Sequence, residues 1–253
     1  MGDRDGGKYP RVSPPTNGHQ HMSTPPRPPS QSPPSRSWRQ PAAPDRGVLV
    51  RLVVGAVALA AMFCALGWAL GTHFVAAELG VIDRVAGVRS AALTILATAL
   101  TTVGSLLVLG PLALLVGVWC AYRHRGRAVV LVVAAGVGAV AVADVVKAVV
   151  NRPRPATVHL VEVASASFPS QHAAQAAAIL PALAIALTTR RSGARVVAVV
   201  LATVLVVGIG ASRVYLGVHY PSDVAAGWII GLLWWAWVLH TAPTAHPRGQ
   251  PPH

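Results

Sequence analysis

Acidic side chains are scarce in this chain. Of its 253 residues only eight are Asp or Glu, and beyond residue 140 only Asp144, Glu162 and Asp223 remain. A site built on two metal ions needs several carboxylate or histidine ligands. The scarcity therefore argues against such a site, and we expect the protein to need neither a metal ion nor a cofactor.

Cysteine and charge are also sparse. The two cysteines, Cys64 and Cys120, form neither a disulfide framework nor a metal-ligand pattern. Charged residues make up 11% of the chain, hydrophobic residues 53%, and the mean hydropathy is +0.54. Soluble domains are about a quarter charged, so the composition predicts a membrane protein. The net charge of +13 does not indicate nucleic-acid binding, because the basic residues lie in a tail, short loops and the motifs below.

Six apolar segments predict an all-α, six-helix membrane bundle over residues 47–240. They run approximately over 48–70, 91–119, 128–150, 173–189, 195–211 and 222–239. Pro111 predicts that the long second segment is kinked, tilted or partly outside the bilayer. The Pro-rich segment 1–46 holds 11 of the 21 prolines and is predicted to be a disordered tail, as is 241–253.

Arginine placement predicts the orientation of the bundle. Basic clusters lie in the tail, at 123–127 and at 190–195. With six crossings these clusters share one side, which the positive-inside rule makes cytoplasmic together with both termini. The loops 71–90, 151–172 and 212–221 are then extracytoplasmic. Three tryptophans near the end of the last segment fit an interfacial aromatic belt: Trp234, Trp235 and Trp237.

The predicted outer loops concentrate costly polar residues, which point to function at membrane depth. Lys147, Arg154 and Arg213 supply positive charge and forked donors suited to a phosphoryl group. Ser170, with the backbone N–H groups that open the fourth segment, adds neutral donors.

Two histidines complete the predicted site. His219 is the candidate nucleophile, and Asp223 four residues later is suited to hold its other ring nitrogen. His172 is then the acid that protonates the departing oxygen. Because two short spans separate His172 from Arg213, all these residues can return to one face of the membrane.

The pattern Lys-x6-Arg-Pro, Pro-Ser-x-His, Ser-Arg-x5-His-x3-Asp, over residues 90–240, resembles the type 2 phosphatidic acid phosphatase family. That family includes undecaprenyl-diphosphate phosphatases and has motifs related to vanadium haloperoxidases. The resemblance implies a helical bundle, metal-independent hydrolysis and a phosphohistidine intermediate. It implies phosphate binding for one set of residues and catalysis for another. The phosphate-binding set is Lys147, Arg154, Ser170 and Arg213; the catalytic set is His172 as acid, His219 as nucleophile and Asp223 as its orienter.

Two features depart from the family pattern or leave it ambiguous. Gln171 stands where the family usually has Gly; we expect its side chain to narrow the phosphate pocket or to donate a further hydrogen bond, with activity retained but altered. Arg152-Pro153 nearly duplicates Arg154-Pro155, and the spacing from Lys147 favours Arg154. Glu78, in an outer loop, is interpreted as a solvated residue.

The substrate is the least constrained prediction. A polyprenyl diphosphate is favoured on the family resemblance, with phosphatidic acid or phosphatidylglycerol phosphate as alternatives. The alternative functions are vanadate-dependent halide oxidation, and phosphate or lipid binding or transport without catalysis. The predicted partners are a lipid-linked phosphate and the membrane, with no nucleic acid; no oligomeric state is predicted.

Overall fold

The computed structural model describes residue 13 and residues 46–73, 75–189 and 192–242. The predicted disordered tails lie almost entirely outside these residues. The chain divides into two units, Met1–Ala42 and Ala43–His253, and the fold below is that of the second unit.

The described residues form eight α-helices and no strand. In chain order they are α1 (Arg46–His73), α2 (Val75–Gly87), α3 (Ala91–Val103), α4 (Leu106–Tyr122), α5 (Gly126–Val150), α6 (Gln171–Leu187), α7 (Gly193–Tyr215) and α8 (Pro221–Thr241). The all-α class is confirmed. The simple six-helix count is not, because α2 forms within a predicted loop and the second apolar segment is divided into α3 and α4.

The length and hydropathy of the helices single out four that could cross a membrane: α1, α5, α7 and α8. The pair α3 and α4 passes the same test together, although it bends by 44° at its break. α6 has only 17 residues and lies at the centre, packed against α4, α5, α7 and α8. Its central position explains its small residues: eight of its twelve buried residues are alanines, which allow neighbouring helices to approach closely.

The break in the second apolar segment lies at Gly104 and Ser105. Pro111 lies inside α4 and does not interrupt it. Gly104 is in contact with α7, where a Cβ would lie 2.4 Å from Cγ2 of Ile209. The Gly104 carbonyl accepts a hydrogen bond from Nε2 of Gln175 on α6. The freed backbone is therefore bonded inside the bundle, as irregular structure at membrane depth requires.

The two ends of the bundle differ in character. At one end Arg125 donates to the Ala186 carbonyl (3.2 Å) and Trp237 to the Arg51 carbonyl (3.0 Å). These contacts bring together the start of α1, the α4–α5 turn and the ends of α6 and α8. The opposite end carries the loops that precede α6 and α8.

Trp234 corrects one prediction. It does not belong to an interfacial belt: it is 4% exposed and donates to the Ala134 carbonyl on α5 (2.8 Å). Its ring occupies the space beside Gly138, where a Cβ would lie 2.0 Å from Cζ2. Trp234 thus packs between α8 and α5, whereas Trp237 is exposed.

Candidate active site

A small cavity of about 110 Å³ opens at the end of the bundle that carries the α5–α6 and α7–α8 connections. It is lined by Lys147, Arg154, Val163, Ala164, Ser165, Gln171, His172, Arg213 and His219. Six of the eight predicted site residues therefore meet at one cavity. The other two, Ser170 and Asp223, are fully buried and are not among its lining residues.

Two of the three cations are held by backbone carbonyls. Lys147, one turn from the end of α5, donates from Nζ to the carbonyls of Ala166 (2.7 Å) and Pro169 (3.1 Å). Arg154 donates from Nε to the Ser165 carbonyl (2.8 Å) and from Nη1 to the Val218 carbonyl. These bonds join the α5–α6 loop to the α7–α8 turn and aim both cations at the cavity.

Arg213, near the end of α7, is the third cation. Its Nη1 donates to the Thr101 hydroxyl on α3. Its Nε is buried and has no hydrogen-bond partner among the described residues. A buried unpaired donor is costly, so the guanidinium is one hydrogen bond short of satisfaction beside a cavity that an anion would fill.

The turn between α7 and α8 presents His219. Gly217 in this turn has φ +77°, and a Cβ there would lie 2.8 Å from the Val158 carbonyl oxygen. Glycine is therefore required both by the backbone conformation and by the close approach. The Leu216 carbonyl accepts from Leu160 N (3.0 Å), which fixes the turn against the α5–α6 loop.

The surroundings of His219 define its tautomer. Nε2 lies 3.3 Å from Nη1 of Arg154, and because arginine only donates, Nε2 must be the unprotonated acceptor. The proton is then on Nδ1, which lies 3.5 Å from Oδ2 of Asp223. Burial lowers the pKa of His219 to about 4, although Asp223 opposes the shift. Neutral His219 thus holds a lone pair on Nε2 at the cavity.

Asp223 lies in the first turn of α8 and accepts hydrogen bonds on both oxygens. Oδ2 accepts from Tyr220 N (2.9 Å) and from the Ser167 hydroxyl, and Oδ1 accepts from Nη1 of Arg152 (2.7 Å). These donors stabilise the ionised carboxylate. The 3.5 Å separation from Nδ1 of His219 is too long for a regular hydrogen bond, so the contact is electrostatic in this structure.

The start of α6 supplies His172 and Gln171 from its first turn. α8 holds this turn in place, since a Cβ on Gly227 would lie 2.4 Å from the Ser170 carbonyl oxygen. Ser170 N donates to the Asp223 carbonyl (2.9 Å). The Ser170 hydroxyl is buried without a hydrogen-bond partner among the described residues, and its predicted contact with phosphate remains a prediction.

The chain is similar to proteins of a known family. The model of the "PAP2 superfamily" matches residues 126–247. Phosphatidylglycerophosphatase B of Bacillus subtilis (strain 168) is 32% identical over 182 residues, which cover 70% of this chain and 89% of that protein. The chain belongs to the PAP2 superfamily.

Two further comparisons extend the PAP2 relationship. The crystal structure of a transmembrane PAP2 type phosphatidylglycerolphosphate phosphatase from Bacillus subtilis matches with a TM-score of 0.65 and 30% identity, over 72% of this chain and 93% of that one. Decaprenylphosphoryl-5-phosphoribose phosphatase of Mycobacterium tuberculosis (strain CDC 1551 / Oshkosh) is 40% identical over 106 residues, covering 38% of this chain and 53% of that protein. This PAP2 protein is a multi-pass membrane lipid phosphatase.

One residue beside this PAP2 site differs from the sequence interpretation. Glu78, interpreted as a solvated loop residue, is 8% exposed and pairs with Arg152 (2.7 Å). Arg152 does not line the cavity, and its other branch pairs with Asp223 (2.7 Å). A carboxylate on the buried face of a short helix could have marked Glu78 as more than a solvated residue. Its partner Arg152 could not be identified, because the two residues are 74 positions apart in the sequence.

Carboxylates and other metal ligands are not grouped in this PAP2 site. Among the residues that the structure describes, no three His, Cys, Asp or Glu side chains are placed to hold a metal ion together. The cations around the cavity are the charges available for an anionic substrate.

Proposed function

We propose that this protein hydrolyses a lipid phosphate through a phosphohistidine on His219, without a metal ion. The observation that carries the proposal is the placement of His219 at a cavity lined by Lys147, Arg154 and Arg213, with its Nε2 3.3 Å from Nη1 of Arg154. Three cations compensate the charge of a phosphoryl group and of its transition state. The same cations hold the phosphorus in line with Nε2.

The reaction has two balanced steps. In the first, Nε2 of His219 forms a bond to phosphorus while the bond to the leaving oxygen breaks, and His172, protonated when the anionic phosphoryl group occupies the cavity, gives its proton to that oxygen. In the second, neutral His172 takes a proton from water, whose oxygen bonds to phosphorus as the bond to Nε2 breaks. The products are inorganic phosphate and the lipid with one phosphate fewer, which is a lipid monophosphate when the substrate is a diphosphate.

Six crossings and an outward site complete the proposal. α6 is the short crossing, and α3 with α4 is one broken crossing. The Arg-rich α4–α5 turn lies at the end of the bundle opposite the cavity, so the positive-inside rule directs the cavity outwards.

In a variant lacking Cys64 and Cys120, cysteine introduced at Val158 (72% exposed) should react with an impermeant maleimide in intact cells. Cysteine introduced at Tyr122 (81% exposed) should not; the reverse pattern would invert the topology.

Phosphate release from a panel of four lipids tests the chemistry and the substrate. The panel contains a polyprenyl diphosphate, which the family resemblance favours, phosphatidylglycerol phosphate, phosphatidic acid, and a polyprenyl-phosphoryl-pentose phosphate. The second and fourth represent the relatives' named substrates. His219→Ala should abolish release from every lipid, while His240→Ala, an exposed histidine on α8, should not change it.

Trapping identifies the intermediate. Brief incubation with a radiolabelled lipid phosphate, followed by alkaline denaturation, should leave acid-labile label on wild type and none on His219→Ala. Turnover without labelled protein in the pre-steady state, or substantial turnover by His219→Ala, would remove His219 from the nucleophile role.

A further inference from the structure

A chain of three buried charges, which includes Asp223, lies on the far side of Asp223 from His219. Arg152 donates from Nη1 to Oδ1 of Asp223 and from Nη2 to Oε2 of Glu78, each at 2.7 Å. The side chains of Arg152, Glu78 and Asp223 are 4%, 10% and 0% exposed. We call these three residues the charge relay.

The charge relay is fixed by neighbours on each side. Oε1 of Glu78 accepts from Ser222 N at the start of α8 (2.7 Å). The Arg152 guanidinium lies 4.0 Å from the centre of the Tyr220 ring, and its Nη1 also donates to the Ser222 hydroxyl (2.8 Å). Both Nη atoms of Arg152 thus already donate to protein groups, and neither is left for a phosphate.

The signs of the three charges matter for His219. Arg152 alone would cancel the charge of Asp223, and His219 would then face three cavity cations without a compensating anion. With Glu78 included, the charge relay sums to one negative charge. Because charges act strongly at low dielectric, Glu78 preserves the ability of Asp223 to stabilise positive charge that develops on His219 when Nε2 bonds to phosphorus.

We propose that Arg152 and Glu78 are positioning residues for the hydrolysis, acting on His219 through Asp223. Glu78 lies on α2, so this helix completes the charge relay from outside the loops that carry the sequence motifs. The inference depends on the proposed nucleophile His219. Arg152 orients the carboxylate of Asp223, and Glu78 balances the charge of Arg152.

The experiment uses the full-length protein in detergent and the panel lipid that wild type hydrolyses fastest. The variants are Arg152→Gln, Arg152→Lys, Glu78→Gln and the double variant Glu78→Gln/Arg152→Gln. The matched control for Glu78→Gln is Asp83→Asn, which removes the same charge from an exposed position of the same helix. Elution as a single peak in size exclusion shows that each variant is folded.

Arg152→Gln should lower kcat about 10- to 100-fold with KM changed less than about 3-fold, the size of effect expected when a supporting group misplaces a catalytic one. Arg152→Lys should recover part of the loss. Glu78→Gln should lower kcat about 3- to 10-fold, and Asp83→Asn should match wild type. In the Arg152→Gln background, Glu78→Gln should have almost no further effect, since Glu78 acts through Arg152.

The pH profile separates an electrostatic role from a merely structural one. Activity requires neutral His219, so loss of the Arg152 cation should move the acid limb of kcat to higher pH, and loss of the Glu78 anion should move it to lower pH. The other charged groups around His219 are unchanged in every variant: Lys147, Arg154, His172, Arg213 and Asp223.

Three outcomes would overturn the inference: acid limbs that move in the same direction, additive losses in the double variant, or a raised KM with unchanged kcat. The last would instead make Arg152 a substrate-binding residue. Turnover retained by His219→Ala would contradict the proposed nucleophile itself, whereas an inactive His219→Ala combined with any of these three outcomes would refute only the role of the charge relay.

Discussion

Substituting Gly227 by alanine should disable the site, although Gly227 is not one of the predicted substrate-binding or catalytic residues. Gly227 lies on α8 one turn after Asp223, where a Cβ would be 2.4 Å from the Ser170 carbonyl oxygen and 2.9 Å from Cβ of Ala173. Ordinary contact begins near 3.4 Å, so α8 and the start of α6 must separate by about 1 Å, since the obstacle is backbone. A displacement of that size costs about 100-fold in rate when it misaligns catalytic groups.

The separation acts on the reacting groups because the two helices carry different ones. α6 carries His172 and α8 carries Asp223, while the bond from Ser170 N to the Asp223 carbonyl crosses the same contact. We expect Gly227→Ala to lower kcat about 100-fold and to destabilise the protein by about 1–3 kcal/mol.

Phosphate release and thermal unfolding in detergent would measure both effects. Gly136→Ala is the matched control, because a Cβ on this α5 glycine meets Cδ1 of Ile179 at an ordinary 3.5 Å. It should keep wild-type kcat and stability. A Gly227→Ala variant with kcat within about 2-fold of wild type would show that the α6–α8 contact does not set the geometry of the site, and would refute the reasoning.

Three further predictions follow from the site. Burial lowers the pKa of His219 to about 4, so the acid limb of kcat/KM, corrected for ionisation of the lipid phosphate, should have its midpoint near pH 4. The folded pKa lies below the unfolded value of about 6.5, so His219 should also reduce stability progressively as pH falls through this window; a limb near pH 6.5 would contradict both. EDTA should not inhibit, and a strict Mg²⁺ requirement would refute metal-independent hydrolysis. Gln171→Gly should change kcat/KM for at least one panel lipid, whereas unchanged kinetics on all of them would deny that Gln171 shapes the cavity.

Local patterns predicted most of what the structure places around the cavity. The spacing from Lys147 favoured Arg154 over Arg152, and Arg154 is the arginine that lines the cavity. The roles of these residues stay predictions, but their meeting at one cavity follows from short apolar segments that return the chain to the same end of the bundle.

The sequence pattern did not predict contacts between residues that are distant in the chain. Nothing in the residues around Glu78 shows that it meets Arg152, because the contact depends on how α2 folds back over the start of α8. The break at Gly104 was also missed: Pro111 is the stronger helix-breaking signal, yet the bend occurs where Gln175 is available to bond a freed carbonyl. Tertiary partners decided both outcomes.

The hydrogen bonds of the cavity cations explain how a site with two buried positive charges, on Lys147 and Arg213, and a half-buried one, on Arg154, remains stable before substrate arrives. Lys147 and Arg154 are satisfied by carbonyl oxygens between residues 165 and 169 and at Val218. In the proposed reaction a phosphoryl group would therefore replace carbonyl oxygens and not water on bare cations, which would keep affinity for the phosphate product modest. Arg213 differs, because its buried Nε has no partner among the described residues. Of the three cations, it is the one whose hydrogen bonding improves most on phosphate binding, and its contribution to substrate affinity should exceed that of Lys147.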